Sequence, residues 1–516
     1  MIKWILQVIK ECWHSPVFDG IRMSTFFRKV LLVYNILETL EVDDKATIAL
    51  YGNNSYNWIV IYIACLLSGV RLLIIHPSEK PIEVVHIMLL TDVHHVFIDK
   101  DLITETLGKN IFLNTLISIQ SFRVVFESDK PNHFGTIIDT LVNSEQISND
   151  LYPLLDSFDE DVKSSVITGT SGTENNHPKW VESSTDSISD LITKAIGVMP
   201  YNTMDTVYVK SDFADSHFVT VLLPFVKGCE FTGNKNHANI VIEDTNSIEN
   251  MWYDEISYLY SKFWFSFLSS NKRLNCISDR IVAHKIKNYY GSELKKLMVY
   301  NNTINQGLLT LLAKYLPLVT TYGSQETNQL VAINNYSTKE KCKLYTVGTI
   351  LPGMVITFCN EELEVTSSTL FTKYIGDPAY TREVRFRDNY VTGDIGFINS
   401  SDGVMTIYGR KSAIYYNAFK LPIQLDKLER IIKTIPYIKD AMINQIHGKL
   451  YLVVYPNIEF GETKKLGYLR LRRLMKQYLI KINESLDNNC YLDDIILVEE
   501  PFLKTHDGKI RRFSQN

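Results

Sequence analysis

Residues 168–180 read TGTSGTENNHPKW. Small, hydroxylated and amide residues crowd this stretch, and a Pro-Lys pair closes it. Such residues contribute little to a core. Their backbone curls readily and offers N–H and O–H donors. Curled donors beside a lysine suit a cluster of phosphate oxygens. The same composition also suits a surface turn between two strands. Four further stretches hold candidate chemistry: YGSQET (322–327), YVTGDIG (390–396), GRKS (409–412) and KTHDGKIRR (504–512). Each is weak alone. Their order and spacing carry the information.

In that order the five stretches resemble the adenylate-forming ligase superfamily: acyl- and aryl-CoA synthetases, adenylation domains of nonribosomal peptide synthesis, and firefly luciferase. The resemblance runs along nearly the whole chain. It includes LEVDDKATIALYGNNSYNWIVIYIACLLSGVRLLIIHPSEK near the N-terminus and GRKSAIYYNAFKLPIQLDKLER at the entry to the last hundred residues. The resemblance implies a two-step reaction. A carboxylate attacks the α-phosphorus of ATP, pyrophosphate leaves, and an acyl-adenylate forms. A thiol then attacks the activated carbonyl and expels AMP. Phosphoryl transfer of this kind rests on positioning and charge neutralisation.

The resemblance assigns the parts. Thr170, Ser171, Gly172, Thr173 and Lys179 form the phosphate cradle. Tyr322 flanks the adenine, Gln325 reaches a phosphate, and Glu326 holds Mg²⁺. One glutamate suffices, because magnesium keeps several waters and takes few protein carboxylates. Asp394 accepts from the ribose hydroxyls, as a carboxylate can from a vicinal diol. Arg410 is a second ribose or phosphate contact, and Lys509 bridges the carboxylate and the α-phosphate. The chain also departs from the family pattern. Glu174-Asn175 stands where Thr-Gly is usual, Trp180 where glycine is common, and Gln325 where threonine is usual. Tyr300-Asn301-Asn302 replaces a glycine-rich adenine strand, and Ser412 occupies the hinge position.

For the acyl pocket the resemblance points to FADSHFVTVLLPFVKG (213–228) and the Tyr-Gly strand, hence Phe213, Asp215, His217 and Thr321. Amino-acid-activating members place an aspartate one position earlier than Asp215. CoA synthetases often carry a histidine here, which His217 matches. Asp215 equally suits a helix cap. Amino, aryl and fatty acids all stay open. The acceptor implied is an external phosphopantetheine thiol, on CoA or a stand-alone carrier protein. The stretch 464–481 holds Lys464, Lys465, Arg470, Arg472, Arg473, Lys476 and Lys481 without an acid. That pattern suits a solvated face, an acidic carrier protein or the phosphates of CoA. Two other readings remain: an enzyme that passes its adenylate to a non-thiol acceptor, and a catalytically degenerate nucleotide-binding relative.

Elements must hold these residues in place. ATIALYG reads as a strand, 55–69 as a buried helix, VRLLIIHP as a strand, 82–91 as a helix and HHVFID as a strand. This is the rhythm of a sheet with crossover helices. His94 and His95 adjoin on a strand, so they point to opposite faces and share no metal. ANIVIED (238–244) and LVTTYG (318–323) are further strands, with LLTLLAKYLP (308–317) a helix between them. In open α/β sheets ligands gather beyond the carboxyl ends of strands. From about 411 the character changes to an amphipathic helix (425–435), a hairpin turning at His447-Gly448, the basic helix and a strand at DDIILVEE.

The fold expected is α/β: a large multi-sheet domain over 1–408 holding the ATP and acyl sites, and a small mobile α+β lid over 409–516 bearing Lys509. With 516 residues the chain exceeds one compact core. A net charge of −5 gives no general pull toward nucleic acid or an anionic membrane. Seven scattered cysteines without a Cys-x-x-Cys pair predict neither a disulfide framework nor a zinc site, and fit a reducing cytoplasm. The N-terminus lacks a small-residue cleavage site, and the longest apolar run, WIVIYIACLLSGV (58–70), is too short to span a bilayer.

Overall fold

The computed structural model describes residues 1–40, 46–104, 113–127, 134–144, 151–170, 178–251, 275–291, 293–300, 306–335, 346–401, 403–416, 422–433, 435, 437–446, 449–457, 468–485, 491–502 and 510. The apolar run at 58–70 folds as the helix Tyr56–Ser68. Ser55 caps it by accepting the Trp58 N–H, and Gly69 ends it at φ +79°, a left-handed conformation that glycine adopts without a Cβ penalty. Every residue from Trp58 to Leu67 is buried, because the helix lies between two sheets. No described helix is long and apolar enough to cross a membrane.

The first sheet runs Lys373–Tyr374, Trp180–Ser184, Ser165–Gly169, Arg71–Ile75, Thr47–Tyr51, Val93–Ile98, Thr115–Ser118 and Val124–Glu127. Its central strands pair in parallel. Both faces are covered, which explains the near-continuous apolar runs that the sequence shows. His95 is buried and paired with the Thr115 hydroxyl at 2.8 Å, while His94 faces Asp92 at 3.2 Å. The two rings do point to opposite sides.

The second sheet holds four parallel strands side by side: Thr206–Val209, Ile240–Asp244, Lys296–Tyr300 and Leu318–Tyr322. Antiparallel strands extend it through Ala332–Asn335, Gly348–Ile350, Val404–Arg410, Asn389–Ile398, Glu362–Thr366 and Val355–Cys359. Alternation sorts the side chains. Ile242, Met298 and Val319 join the core shared with the first sheet. Val241, Leu297, Val299 and Leu318 pack instead with Val282, Ile286, Leu309 and Leu312 of the outer helices Asn275–Tyr290 and Gln306–Tyr315.

Residues beyond 422 build a separate three-stranded sheet. Ile438–Ile446 pairs antiparallel with Lys449–Pro456, which pairs in parallel with Leu492–Leu497. Helices Leu425–Ile432 and Tyr468–Ser485 supply Leu425, Ile432, Met475 and Leu479 to its core. The basic helix begins at Tyr468 and runs on to Ser485, so Lys464 and Lys465 fall outside the described residues. Arg470, Arg472, Arg473 and Lys476 are exposed on it. The hairpin turn expected at His447-Gly448 also lies outside the described residues. Among the described residues Cys12, Cys65, Cys229 and Cys359 are free thiols.

Candidate active site

The parallel strands of both sheets end toward one crevice, and polar bridges tie its two walls. Asn54 follows the strand Thr47–Tyr51. Its Nδ2 donates to the Ser211 carbonyl at 2.6 Å and its Oδ1 accepts the Phe213 N–H at 2.7 Å. His76 follows the strand Arg71–Ile75. Its Nε2 lies 2.8 Å from Asp212 and 3.6 Å from Asp215. These three groups lie within 4.8 Å of one another, a metal-like spacing. Nδ1 of His76, however, accepts the Ser78 N–H at 3.1 Å. That leaves the ring proton on Nε2, where it is donated to Asp212, so the trio is a hydrogen-bonded bridge rather than a ligand set.

Asp215 sits in the short helix Phe213–His217, where Asp212 holds the N-cap position and makes no side-chain cap bond. Asp215 therefore is no cap. The helix breaks at Ser216 (φ −148°, ψ 42°) and continues as a π-helical turn, Phe218–Leu222. Single π turns recur where a helix must re-aim a side chain. His217 turns inward, its Nδ1 2.8 Å from the Tyr62 hydroxyl, and burial pushes its pKa down to about 3. Phe213 is buried against Trp58, ring centroids 5.2 Å apart.

The Tyr-Gly turn is fixed by its surroundings. A Cβ on Gly323 would come within 2.3–2.4 Å of the Gln329 and Leu330 backbone, so only glycine fits. Asn328 and Gln329 follow with φ of 51° and 73°, a left-handed pair costly for residues with side chains. Hydrogen bonds hold them. Asn328 Nδ2 donates to the Thr369 carbonyl at 2.7 Å, and Gln329 Oε1 accepts the Phe218 N–H at 2.9 Å. Gln325 is already engaged: Nε2 donates to the Asp215 carbonyl at 2.8 Å, and Oε1 accepts from Thr168 at 3.1 Å and Gln329 at 3.0 Å. It acts here as a strut between the sheets.

Glu326 is buried, and its Oε1 accepts the Tyr374 hydroxyl at 2.7 Å. The Lys179 ammonium lies 3.6 Å from the centre of the Tyr380 ring and 5.7 Å from that of Tyr374. Thr170 and Lys179 pinch the base of the loop: the Thr170 N–H donates to the Lys179 carbonyl at 2.8 Å, and the Lys179 N–H donates to Thr170 Oγ1 at 3.1 Å. Ser171, Gly172, Thr173, Glu174 and Asn175 lie outside the described residues, as do Asn301, Asn302 and Lys509. The Tyr322 hydroxyl donates to Asp394 Oδ2, and Arg410 Nε sits 3.2 Å from Asp394 Oδ1. Burial, then the Asp394 carboxylate, hold the Tyr322 phenol well above its ordinary range.

A network that no motif revealed anchors the strand leaving the loop. Arg71 grips Glu182 with two nitrogens at 2.6 and 2.9 Å, Ser165 donates to it at 2.6 Å, and Lys373 lies 3.3 Å away. Burial opposes the charge on Glu182, but these partners outweigh it and its pKa is lowered. Lys373 pairs across strands with Glu182 and Tyr374 with Val181, which brings the Tyr374 ring within 5.7 Å of the Lys179 ammonium. The signal was an Arg and a Glu 111 residues apart, invisible to any short window.

Residues 25–368 match the profile of the family described as AMP-binding enzyme, and this chain belongs to that family. A stretch of 83 residues is 31% identical to 4-coumarate--CoA ligase 3 of Oryza sativa subsp. japonica, spanning 16% of this chain and 15% of the length of that relative. Among solved structures, the anthranilate CoA ligase AuaEII in complex with anthranoyl-AMP has a TM-score of 0.71 at 12% identity, over 99% of this chain and 96% of that one. ATP-bound MatB from Rhodopseudomonas palustris gives 0.70 at 13%, over 99% and 97%. O-succinylbenzoate Coenzyme A Synthetase (MenE) from Bacillus subtilis, in complex with AMP, gives 0.71 at 11%, over 99% and 98%. At such identities the likeness is one of fold.

Proposed function

We propose that this enzyme activates a carboxylic acid with ATP and passes the acyl group to a phosphopantetheine thiol, on CoA or on a stand-alone carrier protein. The observation that carries the reading is the Tyr322–Asp394–Arg410 constellation at a strand end, in a chain of the AMP-binding family. A carboxylate beside a cation, with an aromatic next to it, offers a diol acceptor and a nucleobase wall. In the first step an acid oxygen bonds to the α-phosphorus and pyrophosphate departs with the bond it breaks. In the second, a thiolate bonds to the acyl carbon and AMP departs.

The residues present fit a divalent cation. Glu326 is a hard oxygen donor, oriented by the Tyr374 hydroxyl, and Mg²⁺ takes one or two carboxylates plus phosphate oxygens. When bound, the ion supplies charge neutralisation on the phosphates. Thr170 and Lys179 hold the loop base closed, and the Lys179 ammonium faces the same neighbourhood from the rings of Tyr380 and Tyr374. Lys509 acts from a small domain, 409–516, that turns on the joint at 409–412 over the large domain 1–408. Adenylation and thiol transfer need different groups at one place, and a reorienting lid supplies both. Limited proteolysis should cut at this joint.

The deciding experiment is pyrophosphate release across a panel of carboxylic acids, followed by mass analysis of CoA and carrier-protein acceptors. Acid-dependent pyrophosphate with a thioester product supports the reading. Adenylate that accumulates with every thiol present moves the function to a non-thiol acceptor. ATP binding without pyrophosphate for any acid makes the chain a nucleotide binder.

A further inference from the structure

The four parallel strands of the second sheet carry one row of side chains at their carboxyl ends. Val209 pairs with Ile242, Asp244 with Tyr300, and Val299 with Thr320. Partners in parallel register share a face, and every second residue returns to it. Asp244, Tyr300 and Thr321 therefore line up, facing the first sheet, and Ser211, two residues past the strand end at Val209, joins them beside Tyr300. Beneath the row Val209, Ile242, Met298 and Val319 lie in the core shared by the sheets. The row thus caps an apolar floor with polar groups. Three of the four, Ser211, Tyr300 and Thr321, are only 6%, 4% and 1% exposed, yet among the described residues their hydroxyls find no partner outside the row, Ser211 having only the Tyr300 oxygen to point at. The fourth, Asp244, accepts the Ser247 N–H at 2.8 Å. The opposite, helical wall brings Asp212 and Asp215, bridged to the first sheet by His76.

A buried hydroxyl without a partner costs on the order of 1–3 kcal/mol, and native structures keep such groups rare. Three hydroxyls in one row, with nothing but each other to pair with, mark a place that a ligand's own polar group completes. The sign of the surrounding charge selects that group. Burial, then Asp215, Asp244 and Asp212, outweigh the hydrogen bond offered by Ser211 and hold the Tyr300 phenol far above its ordinary range, so it stays protonated. A second carboxylate entering here would meet three aspartates. A hydroxyl or an amine would find acceptors and, in the hydroxyls, donors.

We propose that the acid-binding end of this crevice takes a carboxylic acid carrying a hydrogen-bond-donating hydroxyl or amine on its far portion, and rejects plain hydrocarbon acids and dicarboxylates of the same size. The inference rests on the adenylation reading for the reaction, and on the row alone for selectivity. Discrimination follows the asymmetry of polar sites: a pocket built to pair with a donor rejects the analogue that lacks it, because its own groups then stay unpaired.

The test is binding by calorimetry with size-matched acids. These are butanoate to octanoate with terminal methyl, hydroxyl, amine or carboxylate, and benzoate and phenylacetate with and without 4-hydroxyl or 4-amino groups. Each is measured on the full chain and on Tyr300→Phe, Thr321→Val and Ser211→Ala. For the best-fitting skeleton the parent should favour the hydroxyl or amine acid by at least about tenfold. The Tyr300→Phe variant should lose most of that ratio. Unliganded thermal unfolding should stay level or rise in Tyr300→Phe and Thr321→Val, since each removes a hydroxyl with no partner outside the row. Hydrocarbon or dicarboxylic acids binding best, a ratio untouched by all three variants, or no acid binding at all would overturn the proposal. A marked drop in unliganded stability would also overturn it, by showing that the hydroxyls have partners inside the protein beyond the row. Selective binding without acid-dependent pyrophosphate would leave the polar row standing and remove the adenylation reading.

Discussion

At one end of the crevice Tyr322, Asp394 and Arg410 are paired to one another; at the other, Ser211, Tyr300 and Thr321 present hydroxyls that no described residue outside their own row satisfies. Both ends stand on the same sheet. Under the proposed reaction their difference follows from what each would hold. A nucleotide is a constant partner, so its side chains can be held in place by each other, which lowers the ordering cost on binding. An acid is the variable partner, and selectivity comes from groups whose pairing is left for the ligand to complete. A pre-paired end supports affinity for every substrate alike, whereas an unpaired end supports choice among them.

Four predictions can break or sharpen this contrast. The largest effect belongs to Lys509→Ala. Removing the cation proposed to act in the transition state should lower adenylate formation by ~10²–10³-fold with little change in ATP affinity. Pyrophosphate release at the parent rate would take Lys509 out of the site.

Next is Asp394→Ala. It strips the charged acceptor proposed for the ribose and takes away the partner of the half-buried Tyr322 hydroxyl, so AMP should bind weaker by about 1.5–3 kcal/mol. The loss should be equal for every acid partner, unlike that of Tyr300→Phe. An acid-dependent loss would dissolve the distinction between the two ends.

The third prediction concerns pH and two buried histidines. His217 is pushed down to about 3 and His95 to about 4, both by burial. Their unfolded value is about 6.5. Below that value the unfolded chain binds more protons than the folded one, so stability falls as pH drops from about 6.5 toward 4. For His217 the loss between pH 7 and pH 5 should be on the order of 1–2 kcal/mol, at 1.36 kcal/mol per pKa unit. Urea unfolding of His217→Gln should show a shallower pH slope. An unchanged slope would mean that His217 is already protonated in the fold.

The smallest effect is expected far from both ends. Arg472 and Arg473 are exposed on the helix Tyr468–Ser485. Reversing both to Glu should slow thioester formation a few-fold at low salt, less at high salt, with adenylation near normal. Equal slowing of both half-reactions would make the helix structural.

The elements were largely legible in the sequence. The apolar run ending at Gly69 is buried on all sides, and sequence alone shows both the run and its stop. LVTTYG reads as a strand running into a glycine, and that glycine is required because nothing larger fits against the Gln329 backbone. Motif spacing likewise singled out Tyr322, Asp394 and Arg410, which the fold joins through direct bonds. The roles of Asp215 and Gln325 read less well. Asp215 suited a helix cap, yet its carboxylate faces His76; Gln325 suited a phosphate contact, yet its amide braces the two sheets.

By itself, then, the sequence determined what depends on neighbours along the chain. Periodicity, caps and glycine stops set the strands and helices. Residue type at short spacing singled out Thr170 and Lys179, and Tyr322, Asp394 and Arg410, as candidates. Only the tertiary structure decided which distant side chains would meet. Arg71 reaches Glu182 across 111 residues, and Asn54 reaches Ser211 across 157. The row of Asp244, Tyr300 and Thr321 exists only because their strands pair in one register, and a slip of one residue would turn each side chain to the other face. The physical reason is range. Local propensity acts over a few residues of backbone, whereas pairing register and burial are settled by contacts between segments far apart in the chain.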